Sequence, residues 1–289
     1  MKNLGLFLVL CTLIVNAQEI KPSMLEQMTQ PKFTFQSDYL SNANFEGFNA
    51  SVKTYKQQFK INNEMFGFSY NRWDFDWDNA SSLPFYKGKT PIDAMQRIKL
   101  YANVPVFIND DWFMLNAINV NATYEKEYSN SFGAGLLSFL SYKVDEEHAI
   151  QMGAFANYHP VKTLALPVLG YTYRIRETDG LSLLLGFPRA YVGYHINEDL
   201  LLNAGMIYSQ AIIRLADDSG IEEKGYVEAK DYQANVGVRY ALSEHLELSA
   251  DLLYTFKRDF TIFNHDADEL ESYGIDSSAG VIVKLKYLF

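Results

Sequence analysis

The feature that most constrains this chain is a two-residue alternation that starts afresh after every turn. Between Arg97 and Ile108, Ile98, Leu100, Ala102, Val104, Val106 and Ile108 share one face, and Arg97, Lys99, Tyr101 and Asn103 share the other. Successive side chains of an extended strand point to opposite faces, so this stretch reads as a strand with one oily and one polar side. NDD at Asn109 to Asp111 interrupts it, and the pattern returns with Ile118, Val120, Ala122 and Tyr124 against Asn119, Asn121 and Thr123. Two antiparallel strands joined by a tight turn are predicted. The same grammar recurs around Asn62-Asn63, Asp145 to Glu147, Glu177 to Gly180, Asn197 to Asp199 and Ser243 to His245.

These short turns fall at every second connection. Longer polar connections lie between them at 78–92, 125–131, 216–225 and 258–277, with tighter ones at His159 to Leu164 and around Pro188. One end of the molecule should therefore carry turns and the other loops. Proline cannot donate to a ladder, so Pro188 marks a turn or bulge rather than a strand centre. The elements number about 14, or 12 if KFTFQSDYL (32–40) and its neighbour stay out of the sheet. The expected fold is all-β: a closed antiparallel up-and-down barrel over residues 32–289, with no second domain.

The N-terminus bears on location. Met1-Lys2-Asn3 is a short charged start, Leu4 to Val15 is apolar, and Val15-Asn16-Ala17 is a small-residue cleavage pattern, so residues 1–17 read as a removable secretory signal. Residues 18–31 show no alternation and are expected to form a periplasmic lead or a partial plug. The single cysteine, Cys11, lies within the removable run, which leaves no disulfide framework and no thiolate chemistry. Beyond that run no stretch of 18 apolar residues exists, which excludes helical membrane spans but not a barrel. With 25 basic and 35 acidic side chains the net charge is -10, a balance that argues against nucleic acid.

The last ten residues, GVIVKLKYLF, place Val281, Val283, Leu285, Tyr287 and Phe289 on one face and Gly280, Lys284 and Lys286 on the other. In hydrocarbon every backbone polar group must find a partner within the protein, so a sheet can sit there only when its first and last strands pair. A strand of this kind ending in Phe resembles the carboxy-terminal assembly signal of Gram-negative outer-membrane barrels. Tyr287 and Phe289 stand as its alternating aromatics, Gly280 as its upstream glycine, and Leu285 replaces an aromatic. The resemblance implies the bacterial outer membrane as location after cleavage near Ala17. It implies outer-membrane lipid, lipopolysaccharide and the barrel-assembly machinery as partners. More narrowly, LPVLGYTYRI and LGFPRAYVGY resemble uncharacterised single-domain outer-membrane barrels, which carry no activity over.

A soluble β-sandwich or lipocalin-like fold would also alternate. Strands of about 10–14 residues are longer than the usual 5 or 6. Tyr124, Tyr158, Tyr194, Tyr240, Tyr254 and Phe256 also recur near the ends of oily faces, as an interfacial girdle requires.

Chemistry is harder to find. The five histidines, His148, His159, His195, His245 and His265, include no persuasive Ser–His pair, so no enzyme and no cofactor is expected. Asp74, Asp76, Asp78 and Asn79 imitate the start of a calcium loop, but its glycine and final glutamate positions hold Asn79 and Phe85. The alternation of Trp73, Phe75 and Trp77 with those aspartates suggests a strand leaving the membrane through an aromatic belt into a solvated rim.

The polar faces supply the site candidates. Arg97, Lys99, Arg174, Arg176, Arg239, Glu247, Asp251, Lys284 and Lys286 are expected to face the lumen. There they either line a channel or neutralise one another and close it. The favoured expectation is porin-like or transporter-like passage of small polar solutes. The rivals are a closed structural or surface-interaction barrel, whose acidic loops 216–225 and 258–277 bind partners, and a lipid-modifying enzyme.

Overall fold

The computed structural model describes residues 29–175 and 178–289. The expected signal, most of the 18–31 lead and Arg176 lie outside the described residues. The wall begins with β1 (Lys32–Asn44), β2 (Ser51–Asn62), β3 (Phe66–Asp78), β4 (Ala94–Phe107) and β5 (Trp112–Tyr124). It continues with β6 (Phe132–Lys143), β7 (His148–Tyr158), β8 (Thr163–Tyr173), β9 (Gly180–Gly186) and β10 (Arg189–His195). The remaining strands are β11 (Leu200–Arg214), β12 (Tyr226–Ser243), β13 (Leu246–Phe263), β14 (Glu269–Ile275) and β15 (Ser278–Leu288).

Each strand from β1 to β13 pairs antiparallel with the next, and β13 pairs with β15, which pairs with β1. Fourteen strands thus close a ring, with β14 as one extra strand. The seam runs from Lys32↔Leu288 to Leu40↔Gly280, so the last strand leaves no open edge between itself and the first. Leu285 and Tyr287 point outward there, and Phe289 donates its backbone N–H to Pro31 at 3.1 Å.

The turn end is built from one repeated device. The side-chain oxygens of Asn63, Asn109, Asp145 and Asn197 each accept the backbone N–H groups two and three residues on, at 2.7–3.0 Å. Such Asx turns reverse the chain at no cost in unpaired backbone donors. Pro188 sits between β9 and β10, at the tip of the shortest hairpin.

The wall is uneven in height. At about 3.3 Å per residue and a tilt near 40°, the 18 residues of β13 rise roughly 45 Å and the 7 of β9 roughly 18 Å. A hydrocarbon band about 25 Å tall is therefore overtopped on the β11–β13 and β1–β4 side, while the paired segments of β9 and β10 are shorter than the band. The expected loop at 258–277 is a correction. β13 continues to Phe263, and Glu269–Ile275 pair with it as β14, so only 264–268 turn the chain. Lys257, with φ 54, makes a bulge that breaks the alternation there and hides the continuation.

Above the band the ring narrows. The top of β11 meets the top of β5 at Arg214↔Tyr124, in parallel, and Glu125 donates its N–H to the Arg214 carbonyl at 2.9 Å. Phe45 bridges to Ile275. A collar of nine strands, β1 to β5 and β11 to β14, results. In an odd-numbered ring one neighbouring pair must run parallel, and β5–β11 is that pair. The low strands β6–β10 bow out beneath it.

Candidate functional site

β3 shows how the interior is made. Gly67, Ser69, Asn71, Trp73, Phe75 and Trp77 face inward; Phe66, Phe68, Tyr70, Arg72, Asp74, Asp76 and Asp78 face outward. Its two faces exchange character at Asn71–Trp73. Below that level the outside is oily and the inside polar; above it the outside is acidic and the inside aromatic. The expected exit through an aromatic belt is corrected here: Trp73, Phe75 and Trp77 turn inward toward the collar, while the aspartates form the outer, solvated rim. Asp74 pairs with Arg72 at 2.6 Å and Asp76 with Lys53 at 3.4 Å. No cluster of His, Cys, Asp or Glu among the described residues is placed to hold a metal ion.

The collar holds the main apolar cluster of the molecule. The connection 79–93 folds inward, burying Leu83, Phe85 and Ile92 against Phe45, Met95, Ile213, Phe260 and Ile275. Phe45, 1 % exposed, touches Trp77, Phe85 and Phe260 with ring centres 5.6–5.8 Å apart. Leu215 and Ile221 complete the plug from the β11–β12 connection. A ring of about this strand number has an interior that side chains fill. Ion pairs lace the connections together outside: Lys87–Glu222 at 2.6 Å, Lys126–Asp218 at 2.7 Å and Lys89–Asp218 at 4.0 Å. The Lys126 ammonium holds the Asp218 carboxyl below its usual range.

Beneath the plug lies a cavity of about 480 Å³. Its ceiling is Phe75, Met95, Ile213 and Phe260, and its wall below is polar, with Lys56, Gln58, Lys60, Ser69, Asn71, Arg97 and Lys99. A second cavity of about 150 Å³, under the bowed strands, is lined by Asn119, Asn121, Asn157, His159 and Gln210, and again by Arg97 and Lys99. These two cations stand where the cavities meet.

Eight of the nine lumen candidates fall within the described residues, and they divide into three groups. Arg97 donates from Nε to Thr123 Oγ1 at 2.8 Å and stacks over Trp73; Lys99 lies across from Ser69 and Asn121. Neither forms an ion pair among the described residues, and nor does Lys60. On the opposite wall Glu247 pairs with Arg239 at 3.4 Å and Lys286 at 3.5 Å, and Asp251 accepts 2.8 Å bonds from Asn203 and Asn235. Lys284 lies between Ser249 and Gln36. Arg174 lies in the turn after β8, with φ 44, bound to Asp179 at 2.9 Å; it belongs to the turn end and not to the cavity. Lys60, Trp73 and the inward 79–93 segment were not read as one site, because alternation alone does not say which face turns inward.

At the loop end, connection 159–162 straps the low strands to the collar. Val161 packs on Ile212, Tyr226 and Phe263, and Lys162 reaches Glu228 at 3.2 Å. His159 is buried edge-on to Tyr226, and burial pushes its pKa down to about 4. Among the described residues no histidine ring hydrogen-bonds a serine hydroxyl.

A closed ring with an oily outer band, internal cavities and one end covered by an apolar cluster defines an up-and-down β-barrel of transmembrane type. No protein-family model matches the chain, and no curated protein matches it. Among solved structures it is similar to an outer-membrane channel from Pseudomonas putida F1, at 9% identity and a TM-score of 0.49, covering 94% of this chain and 100% of the other. A Pseudomonas aeruginosa FadL homologue aligns at 11% identity and 0.46 over 89% and 90%, and the NanC porin at 10% and 0.43 over 88% and 98%. What each of these conducts says nothing of this chain.

Proposed function

We propose that this chain is an outer-membrane barrel that passes small polar solutes, with the plugged collar as its gate. The observation that carries this reading is the lumen itself: two cavities with charged and amide side chains in their walls lie inside the ring, beneath the apolar cluster of the collar. The oily band supports placement in lipid. The exposed acidic ends of β3 and the 216–225 connection support contact with lipopolysaccharide through divalent cations, and β15 is the strand offered to the assembly machinery. The collar closes the axial route in this state, so passage requires the 79–93 segment to withdraw.

The apolar cluster of the collar also favours a second reading, a structural or surface-interaction barrel that never opens. Solute flux separates the two. Proteoliposomes carrying the folded chain should release entrapped small sugars or amino acids faster than empty vesicles, and faster still when residues 80–92 are replaced by a Gly-Ser linker. Equal release from all three favours the closed barrel.

A further inference from the structure

The 480 Å³ cavity is not uniformly polar, and its two sides suggest what it accepts. Lys60, Arg97 and Lys99 point into it from three neighbouring wall positions without an ion-pair partner among the described residues. The other charges lining the cavity are Lys56, which pairs with Asp38 at 3.0 Å, and Arg258, which faces Asp231 at longer range, so the three unpaired cations leave the cavity with a positive excess; Lys286 and Arg239, outside it, pair with Glu247. Desolvated cations facing a cavity favour an anion there. Directly above them the surface turns apolar, with Phe75, Met95, Ile207, Ile213 and Leu253. An inorganic ion would leave that ceiling wet, and a neutral sugar would leave the cations uncompensated.

Resting on the passage reading for why a solute enters at all, we infer that the lumen holds a small amphipathic organic anion. Its carboxylate sits at Arg97, Lys99 and Lys60, and its apolar or aromatic part lies under the Phe75–Met95 ceiling. The volume is within the range, about 300–1,000 Å³, that encloses small organic ligands. Arg97 is already oriented by Thr123 and by the Trp73 ring, which leaves its outer N–H groups to make a forked contact with a carboxylate.

Calorimetric titration of the folded protein in detergent, against protein-free micelles, tests this without requiring transport. The probes are 4-phenylbutyrate, its alcohol and amine counterparts, and acetate. Saturable binding of 4-phenylbutyrate is expected, with the other three weaker by about tenfold or more. Combining Arg97→Gln with Lys99→Gln should weaken it by a similar factor, whereas Lys286→Gln on the neutralised wall should leave it unchanged. Heat-dependent gel mobility reports whether each variant keeps the barrel. Equal binding of the alcohol, or no saturable binding by the folded wild-type chain, overturns the site. Binding without solute release overturns passage and keeps the site; release without binding does the reverse.

Discussion

The Arg97 guanidinium lies 5.3 Å from the centre of the Trp73 ring, and this contact marks the level at which the barrel changes character. Below it, outward side chains suit hydrocarbon and inward ones suit water. Above it, the outside is charged and the inside is a packed aromatic core. One strand, β3, serves both environments by keeping its period and exchanging the chemistry of its faces.

The lipid band makes a prediction that exposure alone would not. Leu252 is 64 % exposed and points outward from β13. On a soluble protein Leu252→Arg would be close to neutral. In a bilayer it should cost about 2–4 kcal/mol near the midplane. Denaturant titration of the barrel refolded in phospholipid vesicles reads the difference, and an unchanged midpoint would speak against lipid contact at β13.

The collar should open as a unit. Phe45→Ala removes the ring that joins Trp77, Phe85 and Phe260, a loss of about 3–5 kcal/mol for a buried Phe. Hydrogen exchange should then accelerate across 79–93 and the top of β13 while β6–β8 keep their protection. Uniform acceleration through the ring would mean that the collar is not a separate unit.

Charge in the lumen should set ion preference. With 80–92 replaced by a linker, the reversal potential in a KCl gradient should favour chloride, because Lys60, Arg97 and Lys99 outweigh nearby carboxylates. Lys99→Glu should shift it toward potassium. No shift would place Lys99 away from the ion path.

Acid should loosen the strap over the low strands. His159 is neutral in the fold because burial lowers its pKa to about 4, against 6.5 when unfolded. Between those values the unfolded segment binds a proton that the folded one refuses, so stability falls as pH drops from 6.5 to 4, with no further loss from this group below. Lys162, Lys230, Glu228 and Tyr226 surround the strap, and the two ammonium groups oppose a charged imidazole. Protection at 157–163, after correction for the intrinsic pH dependence of exchange, should fall across that window and lose the trend in His159→Phe; an identical pH profile in the variant would show that His159 is not the titrating group.

The hairpins were legible in the sequence because period two and Asx turns are both local signals. Asn63, Asn109, Asp145 and Asn197 announce their reversals within four residues. The collar was not legible, for a physical reason. Alternation separates two faces without saying which one meets lipid, and at Trp73 the oily face is the inner one. Leu83, Phe85 and Ile221 sit among polar neighbours in segments that read as loops, and only the narrowing at β5–β11 gives them a core to enter. Arg97, Lys99, Arg239, Glu247, Asp251, Lys284 and Lys286 stand within strands, where phase is a local signal. Arg174 has no such phase, because the chain leaves the sheet at Tyr173.

Planar-bilayer recording from the folded chain, with and without residues 80–92, tests most directly whether an unfilled lumen lies behind a removable plug. Discrete conductance steps that become larger or more frequent once the plug is removed are predicted. A folded barrel that inserts and stays silent in both forms would contradict it.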